Sequence, residues 1–292
     1  MTQSRAMLCA LAGFFAWVVV DVAIKLGAQG QAALSPFVIM AVLGTFGAAS
    51  LVASTLIRRK AALLRPRSLR EQALIAMCAI SINYTNVISL KHLPLTMFYV
   101  VVFTIPLMIA VLSAVLKHEI LTPLKIVCLI TGFLGAALAI GVHGGGGDWI
   151  GYLAAFISVS SFATYTILMR KISQTDTVES TQFINALCVG TVGIVGALSQ
   201  SSAAPVGWAL AIMIVAGGIN VLGNVLYNTA LQNTASTNVA QLHYTQIISG
   251  AIFGYFLWHE IPTWNLIAGS ILIIAAGMIV AGQVRKNNGT AS

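Results

Sequence analysis

The stretch "LKHEILTPLKI", from Leu116 to Ile126, decides the fold because the chain repeats it 141 residues later as "LWHEIPTWNLI", from Leu257 to Ile267. Polar residues match at the same offset around both copies: Asn83 with Asn224, Thr96 with Thr237, Thr104 with Thr245, His118 with His259, Glu119 with Glu260, and Thr122 with Thr263. An apolar composition readily matches Leu with Leu, but not Asn, His, Glu and Thr together. The sequence therefore contains an internal repeat.

The composition places the protein in a membrane. Of the 292 residues, 58% are hydrophobic and only 8% are charged, with a mean hydropathy of +0.93. A soluble domain carries about a quarter charged residues, so this chain is expected to contact lipid over its outer surface. The net charge of +8 comes from short clusters between apolar runs, which excludes a nucleic-acid-binding patch. The four cysteines stand singly in apolar runs and are expected to be packing residues.

Polar, proline and glycine-rich breaks divide the chain into candidate membrane spans of about 20 residues each. These ten predicted spans are 6–26, 35–57, 71–90, 94–116, 122–142, 149–169, 181–199, 206–230, 236–257 and 263–284. Thirteen of the fifteen Lys and Arg residues fall on the side of the N-terminus, and only Lys25 and Lys91 fall on the other. The positive-inside rule then predicts that both termini are cytoplasmic.

Five spans in each half make the second half enter the membrane upside down relative to the first. We predict an all-α integral membrane protein of ten transmembrane helices, arranged as two inverted five-helix repeats, residues 1–143 and 148–286. The two copies of the repeated motif, which we call the His-Glu elbows, then lie at opposite surfaces, His118-Glu119 inside and His259-Glu260 outside. Inverted repeats of this kind are typical of secondary transporters. Each elbow glutamate is interpreted either as a gating contact or as a cap near a helix end.

Three segments carry a resemblance to a known family: "GFFAWVVVDVAIKLG" (13–27), "LPLTMFYVVVFTIPLMIAVLSAVLKHEILT" (93–122) and "TASTNVAQLHYTQIISGAIFGYFLWHEIPT" (234–263). The chain resembles the drug/metabolite transporter superfamily, in particular its ten-helix exporters with two EamA-type halves, and among them the YddG-type exporters of amino acids. The resemblance implies a monomer in which spans 1, 3, 4, 6, 8 and 9 surround a central cavity. The chain departs from the family in having His before the elbow glutamate, where many members have Gly or another small residue.

Polar residues inside a span are expected to face the interior and to mark a transport pathway. In the first span Trp17, Asp21 and Lys25 share one helical face. Asp21 is the acid that lies well inside a span, so it is the candidate for sensing a proton or a substrate amino group; the alternative is an outer-leaflet residue exposed to water in the open cavity. Lys25 can pair with Asp21, but it is close enough to the outer surface for its amine to extend into water, which we expect instead.

The eighth span places Asn220, Asn224 and Asn228 on one face, and the repeat sets Asn224 opposite Asn83. We predict that Asn83, Asn220 and Asn224 line the cavity, and that Asn228 packs or caps; the alternative for all of them is hydrogen bonding between packed helices.

The ninth span adds His243 and Tyr244. His243 is either a proton carrier or a neutral hydrogen-bonding residue. Tyr244 falls on the repeat position of Phe103, one turn after Tyr99. With Trp17 and Tyr84 these rings are expected to form an aromatic-lined pocket, although aromatic residues in helices commonly only pack.

Three residues are predicted to let helices bend. Pro106 interrupts the backbone hydrogen bonds of the fourth span near its middle and should kink it. Gly250 and Gly254 give the ninth span places where bending is easy. With Glu119 and Glu260 they form the predicted set of hinge and gating residues.

We therefore expect a secondary transporter of the bacterial inner membrane that exports small metabolites, most simply aromatic or neutral amino acids, by alternating access. No cofactor, metal or catalytic residue is expected. There is no GxxxxGK[ST] motif for ATP, and neither elbow has the second histidine of HExxH. The alternatives are a multidrug or cationic-drug exporter and, from another class, an integral membrane enzyme that uses a His-Glu pair.

Overall fold

The computed structural model describes residues 3–29, 34–115, 123–140, 147–172, 176–200, 207–233, 242 and 245–289. Regular secondary structure in these ranges is helical. One 3-10 turn spans Ala61–Leu64, and the α-helices are α1 (Gln3–Ala28), α2 (Pro36–Ile57), α3 (Leu69–His92), α4 (Leu95–Val102), α5 (Ile105–Val115), α6 (Pro123–Ile140), α7 (Trp149–Ile172), α8 (Val178–Ser199), α9 (Gly207–Asn233), α10 (Thr245–Trp258) and α11 (Trp264–Gly289).

Helix ends follow local sequence chemistry. The Ser35 hydroxyl accepts a hydrogen bond from the Val38 N–H at the start of α2, and Pro36 occupies the first helical position, where its missing N–H costs nothing. Thr177 caps α8 in the same way, accepting from the Ser180 N–H at 3.2 Å. The two caps occupy corresponding places, since α2 and α8 are the second spans of their repeats.

Length and apolar composition make six of the described helices, α1, α2, α3, α7, α8 and α9, long enough to cross a membrane. Shorter apolar helices occupy the places of the remaining four predicted spans. Many outward-facing side chains are large and apolar, among them Leu134, Val195 and Leu198. The predicted fold class, an all-helical membrane protein, is confirmed.

The fourth predicted span is broken in two, as Pro106 led us to expect. Helix α4 ends at Val102 and α5 begins at Ile105, with Pro106 as its second residue. Pro106 has no N–H to donate to the carbonyl four residues earlier. Within the break, both the N–H and the hydroxyl of Thr104 donate to the Val101 carbonyl, at 3.0 and 2.7 Å. The sequence thus predicted the break itself, while its use as a hinge stays a prediction.

The helices pair as two equivalent halves require. The most extensive contacts join α2 with α8, α6 with α11, α1 with α9 and α3 with α7. A two-fold relation between the repeats maps α2 on α8 and α6 on α11, so these two pairs lie across the axis. The same relation exchanges the α1–α9 and α3–α7 pairs. Helices α4 and α10, the equivalent fourth spans, also contact each other.

Glycines allow the two pairs across the axis to approach closely. At the α2–α8 crossing, Gly44 lies against the backbone of Gly190, and Gly193 lies against the backbone of Ala41. A β-carbon at any of these glycines would overlap main-chain atoms of the other helix. Close approach through small residues is how membrane helices gain packing energy, because lipid supplies no hydrophobic drive between them.

Asp176 joins the two repeats at the end of the molecule that carries most of the lysines and arginines. It lies in the α7–α8 connection and is only 7% exposed. Its carboxylate accepts hydrogen bonds from the N–H groups of Arg67 (2.7 Å) and Ser68 (3.2 Å) and from the Gln72 amide (2.9 Å). Burial acts to raise its pKa, but the bonds from Gln72, Arg67 and Ser68 outweigh burial and hold the pKa below the ordinary 3.8.

We expect Asp176→Asn to lower stability by about 2 kcal/mol, because hydrogen bonds to a charged acceptor each contribute roughly 1.5–3 kcal/mol. A depressed carboxyl pKa adds stability above the unfolded value, near 3.8, that is lost as pH falls through the lower folded value. The difference in melting temperature between the two proteins in detergent should therefore be constant from neutral pH to about pH 5 and shrink below pH 4. Asp148→Asn, at a half-exposed cap of α7, is the control and should have a smaller effect.

Candidate functional site at the outer end

Helices α1, α4 and α10 meet at the end that the charge distribution predicts to be outside. Each brings polar or small residues about one turn apart: Asp21 and Lys25 on α1, Tyr99 and Thr96 on α4, Gly250 and Gly254 on α10. Residues at this spacing lie above one another on one helical face. The contacts form two layers. We call the outer layer, with Lys25, Thr96 and Glu260, the gate cluster, and the deeper layer, with Asp21, Tyr99 and Asn86, the Asp21 cluster.

In the gate cluster, the Glu260 carboxylate receives four hydrogen bonds from the other repeat. Its Oε1 accepts from the Lys25 amine at 3.1 Å and from the Leu95 N–H at 2.8 Å. Its Oε2 accepts from the Thr96 N–H at 3.0 Å and from the Thr96 hydroxyl at 2.7 Å. The N–H groups of Leu95 and Thr96 belong to the first turn of α4 and have no partner within the helix. Glu260 thus satisfies them and also faces the positive end of the helix dipole.

Lys25 is held inside the gate cluster from three directions. Its amine also donates to the Leu93 carbonyl at 2.6 Å and lies 4.9 Å from the centre of the Trp258 ring. The Lys25 side chain is 3% exposed and that of Glu260 is 13% exposed. Burial raises the pKa of Glu260, but the charge of Lys25 and the bonds from Thr96 and Leu95 outweigh burial, so its pKa is lowered and it stays ionised.

The Asp21 cluster lies one helical turn deeper. One carboxylate oxygen of Asp21 accepts from the Tyr99 hydroxyl at 2.8 Å, and the other accepts from the Asn86 amide at 3.2 Å. Tyr99 is fully buried between the rings of Phe98 and Phe103. Asp21 lies seven residues before the end of α1, about 10 Å along the helix axis. Each carboxylate oxygen retains a free lone pair for another donor.

The two α10 glycines let that helix approach the clusters. A β-carbon on Gly254 would lie 2.7 Å from Glu260 Oε2 and 3.1 Å from the Thr96 hydroxyl. A β-carbon on Gly250 would overlap the Tyr99 ring. Helix α10 runs without interruption through both positions. We predicted these glycines as bending points, and the structure gives them a different, steric reason: each makes room for a member of a cluster.

His259 turns the chain so that Glu260 points back toward α4. Its φ angle is +54°, in the left-handed region, and its N–H donates to the Tyr255 carbonyl at 3.0 Å to close the last turn of α10. A left-handed residue commonly ends a helix, and glycine is favoured there because it has no β-carbon. A glycine at this position would adopt the same geometry without strain.

We expect His259→Gly to raise stability by about 0.5–1 kcal/mol, because the left-handed conformation strains every residue except glycine. His259 is exposed, so little contact is lost. The matched variant His259→Val should lower stability, since a β-branched side chain fits this conformation poorly. Melting temperatures in detergent test both, and equal values for Gly and Val would contradict the assignment of strain.

The predicted aromatic residues fall into separate groups. Trp17 packs on Tyr227 with ring centres 4.9 Å apart and on Phe14 at 5.7 Å, where α1 meets α9. Tyr84 packs on Phe37 at 5.2 Å, beside α2. Among Trp17, Tyr84 and Tyr99, it is Tyr99 that joins the polar clusters.

The predicted asparagines form local bonds in this structure. The Asn83 amide donates to the Ala79 carbonyl of its own helix at 2.8 Å, and the Asn224 amide donates to Asn220 at 3.4 Å. All three side chains are half-buried, so their proposed role in the cavity stays a prediction. Glu119, His243 and Tyr244 lie outside the described residues, as does the side chain of Asn228.

One prediction was wrong, and several participants were missed. Lys25 does not reach water, because the elbow of the other repeat supplies a carboxylate for it. Glu260 caps a helix, but that helix is α4, 165 residues earlier, and its role as a gating contact stays a prediction. Asn86 was not predicted as a site residue, and its one signal in the sequence is its place one turn after Asn83 on α3. Thr96 was noted only for its match with Thr237, and its bonds to Glu260 were not predicted.

A known protein family and a solved structure both resemble almost the whole of this chain. The model described as "EamA-like transporter family" matches residues 4–141 and 149–282, one match for each half. A solved structure titled "Crystal structure of protein" matches with a TM-score of 0.69 at 20% identity over 98% of this chain and 99% of that one, which supports the fold.

Curated relatives are transporters by name. An "S-adenosylmethionine uptake transporter" of Rickettsia felis is 26% identical over 194 residues, and an "Uncharacterized transporter YvbV" of Bacillus subtilis is 26% identical over 201 residues. Each match covers 66% of this chain and 65% of the relative, slightly under two thirds of that protein's length. A "Pseudopaline exporter CntI" of Pseudomonas aeruginosa is 35% identical over a shorter stretch of 69 residues, 24% of each chain.

Proposed function

Because the chain belongs to the EamA-like transporter family, we propose that it is a secondary transporter of small metabolites that carry an α-amino-acid group. The proposed site is a central pathway in the bacterial inner membrane, used by a monomer through alternating access. The half-buried Asp21 carboxylate, bonded to Tyr99 and Asn86, is the observation that carries this proposal. It offers a negative charge to a substrate ammonium from inside a membrane span, where a charged side chain is costly and is expected to mark a pathway.

Two similarities support a substrate that carries an α-amino-acid group. The resemblance to YddG-type proteins favours aromatic or neutral amino acids. The names of the Rickettsia relatives favour S-adenosylmethionine, which is itself an α-amino acid with a large adenosyl substituent and a second positive charge. We propose amino acids as the first substrate class and S-adenosylmethionine as the second candidate. The remaining predicted binding residues are proposed to contact the solute within the same pathway: Asn83, Asn220, Asn224, His243, Trp17, Tyr84 and Tyr244.

The direction of flux separates the same two candidates. Export follows from the resemblance, whereas the Rickettsia relatives are named for uptake. The geometry of the gate cluster does not depend on direction, because either flux requires the outer end to open once in each cycle. We propose export for amino acids, driven by the gradients that the cell supplies.

Transport into proteoliposomes tests the proposal. The purified protein should move radiolabelled α-amino acids or S-adenosylmethionine from a panel, and the solute should be recovered chemically unchanged. A multidrug exporter would instead move tetraphenylphosphonium, which has no carboxylate and no ammonium. An enzyme would release an altered product. Movement of the drug cation without any α-amino acid would contradict the proposal.

A further inference from the structure

The gate cluster is built almost entirely by one repeat. The donors to the carboxylate are the Lys25 amine, the N–H groups of Leu95 and Thr96, and the Thr96 hydroxyl. All of these belong to the first repeat. The second repeat supplies the anion itself, on the elbow, and the Trp258 ring beside it. If the two repeats separate at this end, the donor set stays assembled and only its anion leaves.

An empty donor set of this kind would be unfavourable. Lys25, Leu95 and Thr96 are each at most 6% exposed, so departure of Glu260 would leave a buried ammonium and the unpaired N–H groups of a helix end. Breaking a buried ion pair by removing one partner is strongly destabilising. An anion of the solute in the place that Glu260 leaves would offset this cost and so favour opening.

We propose that the gate cluster is the binding site for the α-carboxylate of the transported solute, and that Glu260 occupies it as an internal stand-in while the outer end is closed. This inference rests on the proposed function, and adds to it the group that recognises the carboxylate and the event that opens the gate. Solute and Glu260 compete for one set of donors, so the outer end opens when solute binds.

The position of Asp21 fits the same solute. It lies four residues before Lys25, about 6 Å along the axis of α1 and on the same face. An α-amino acid carries its ammonium and its carboxylate on one carbon, and a hydrogen bond of about 2.8 Å on each side spans the remaining gap. The carboxylate of the solute would bind at Lys25 and the first turn of α4, and its ammonium at Asp21.

Chemical rescue tests the anion site without reference to the natural solute. Glu260→Ala removes the carboxylate and leaves space that acetate fits. Sodium acetate should raise the melting temperature of this variant in detergent by about 2–4 °C, saturably. Sodium chloride at equal ionic strength should not do so. In the double variant Lys25→Met with Glu260→Ala, acetate should act no better than chloride. Equal effects of acetate and chloride on Glu260→Ala would overturn the anion site.

A transport measurement tests the competition, and it decides the matter if Glu260→Ala does not fold. Glu260→Gln keeps the shape of the side chain. Its neutral amide binds the donors of the gate cluster less strongly than a carboxylate does, so the solute displaces it more easily. The KM of L-methionine in proteoliposomes should fall by roughly tenfold, as expected when a binding-competent state of about 10% population becomes dominant. A purely structural cap predicts an unchanged or higher KM, and that result would overturn the stand-in role.

An analogue of methionine that lacks the carboxylate tests whether this group of the solute is the one that the gate cluster binds. 3-(Methylthio)propylamine, which is methionine without its carboxylate, should compete poorly with L-methionine in both proteins. Equal competition would show that the carboxylate is not the ligand, which overturns the inference. If acetate rescues Glu260→Ala while the wild-type protein moves no α-amino acid in the panel, the proposed function fails and the carboxylate site stands.

Discussion

Asp21→Asn is expected to reduce transport of α-amino acids by at least about thirtyfold, which corresponds to ~2 kcal/mol, the lower end of the cost of removing one partner of a buried charge pair. An amide cannot attract a substrate ammonium as a carboxylate does. Its oxygen can still accept from the Tyr99 hydroxyl, and the Asn86 amide can turn its own oxygen toward the new NH₂ group, so both present partners keep a hydrogen bond. The loss should appear mainly as a higher KM in proteoliposomes.

Stability should move in the opposite direction, and this separates a binding role from a structural one. Holding a carboxylate away from water is costly, so the Asp21→Asn variant, which is neutral at this position, should melt at the same temperature as the wild type or above it. Asp148→Asn, at the exposed end of α7, is the control and should keep normal transport. Wild-type flux in the Asp21 variant, or lost flux that only follows lost folding, would contradict the assignment of Asp21 to the substrate.

The sequence predicted the fold because the relevant signals are local or strictly periodic. Apolar runs of sufficient length gave the spans, and the 141-residue offset gave the two equivalent halves. Pro106 marked the break between α4 and α5 because a proline removes a backbone donor wherever it stands. None of these inferences requires knowing which helix lies beside which.

The candidate site was predicted only in part because its contacts join distant parts of the chain. Asp21 and Glu260 stood out as charged residues in an apolar sequence. That Glu260 reaches α4 rather than its own helix end depends on how the halves pack, and no periodicity contains that information. Lys25 was misplaced for the same reason, since a lysine near a helix end extends into water only when no buried carboxylate meets it.

The glycines at the α2–α8 crossing were missed although their pattern is visible in the sequence. Gly44 and Gly47 in α2 match Gly190 and Gly193 in α8, both pairs three residues apart. This match has an offset of 146, the same as that between Lys25 and Lys171, and differs from the 141 of the later helices. The length difference between the halves therefore lies before the region in which the His-Glu elbows align.

Gly193→Ala is expected to lower stability by about 3 kcal/mol, at the upper end of the usual cost of overpacking. The added methyl group would overlap the backbone of Ala41, and a main chain inside a helix cannot rotate aside as a side chain can. Because α2 and α8 meet across the axis that relates the repeats, the strain should separate the two halves. A lower melting temperature in detergent and less folded protein in membranes would report it.

The same substitution at Gly218 in α9 is a matched control. A β-carbon there would meet only the Phe46 ring edge at 3.7 Å, an ordinary contact. In a helix interior with room for the methyl group, alanine is favoured over glycine by roughly 0.5–1 kcal/mol, so Gly218→Ala should melt at or above the wild-type temperature. Equal melting temperatures for the two variants would contradict a close contact between α2 and α8 at Gly193.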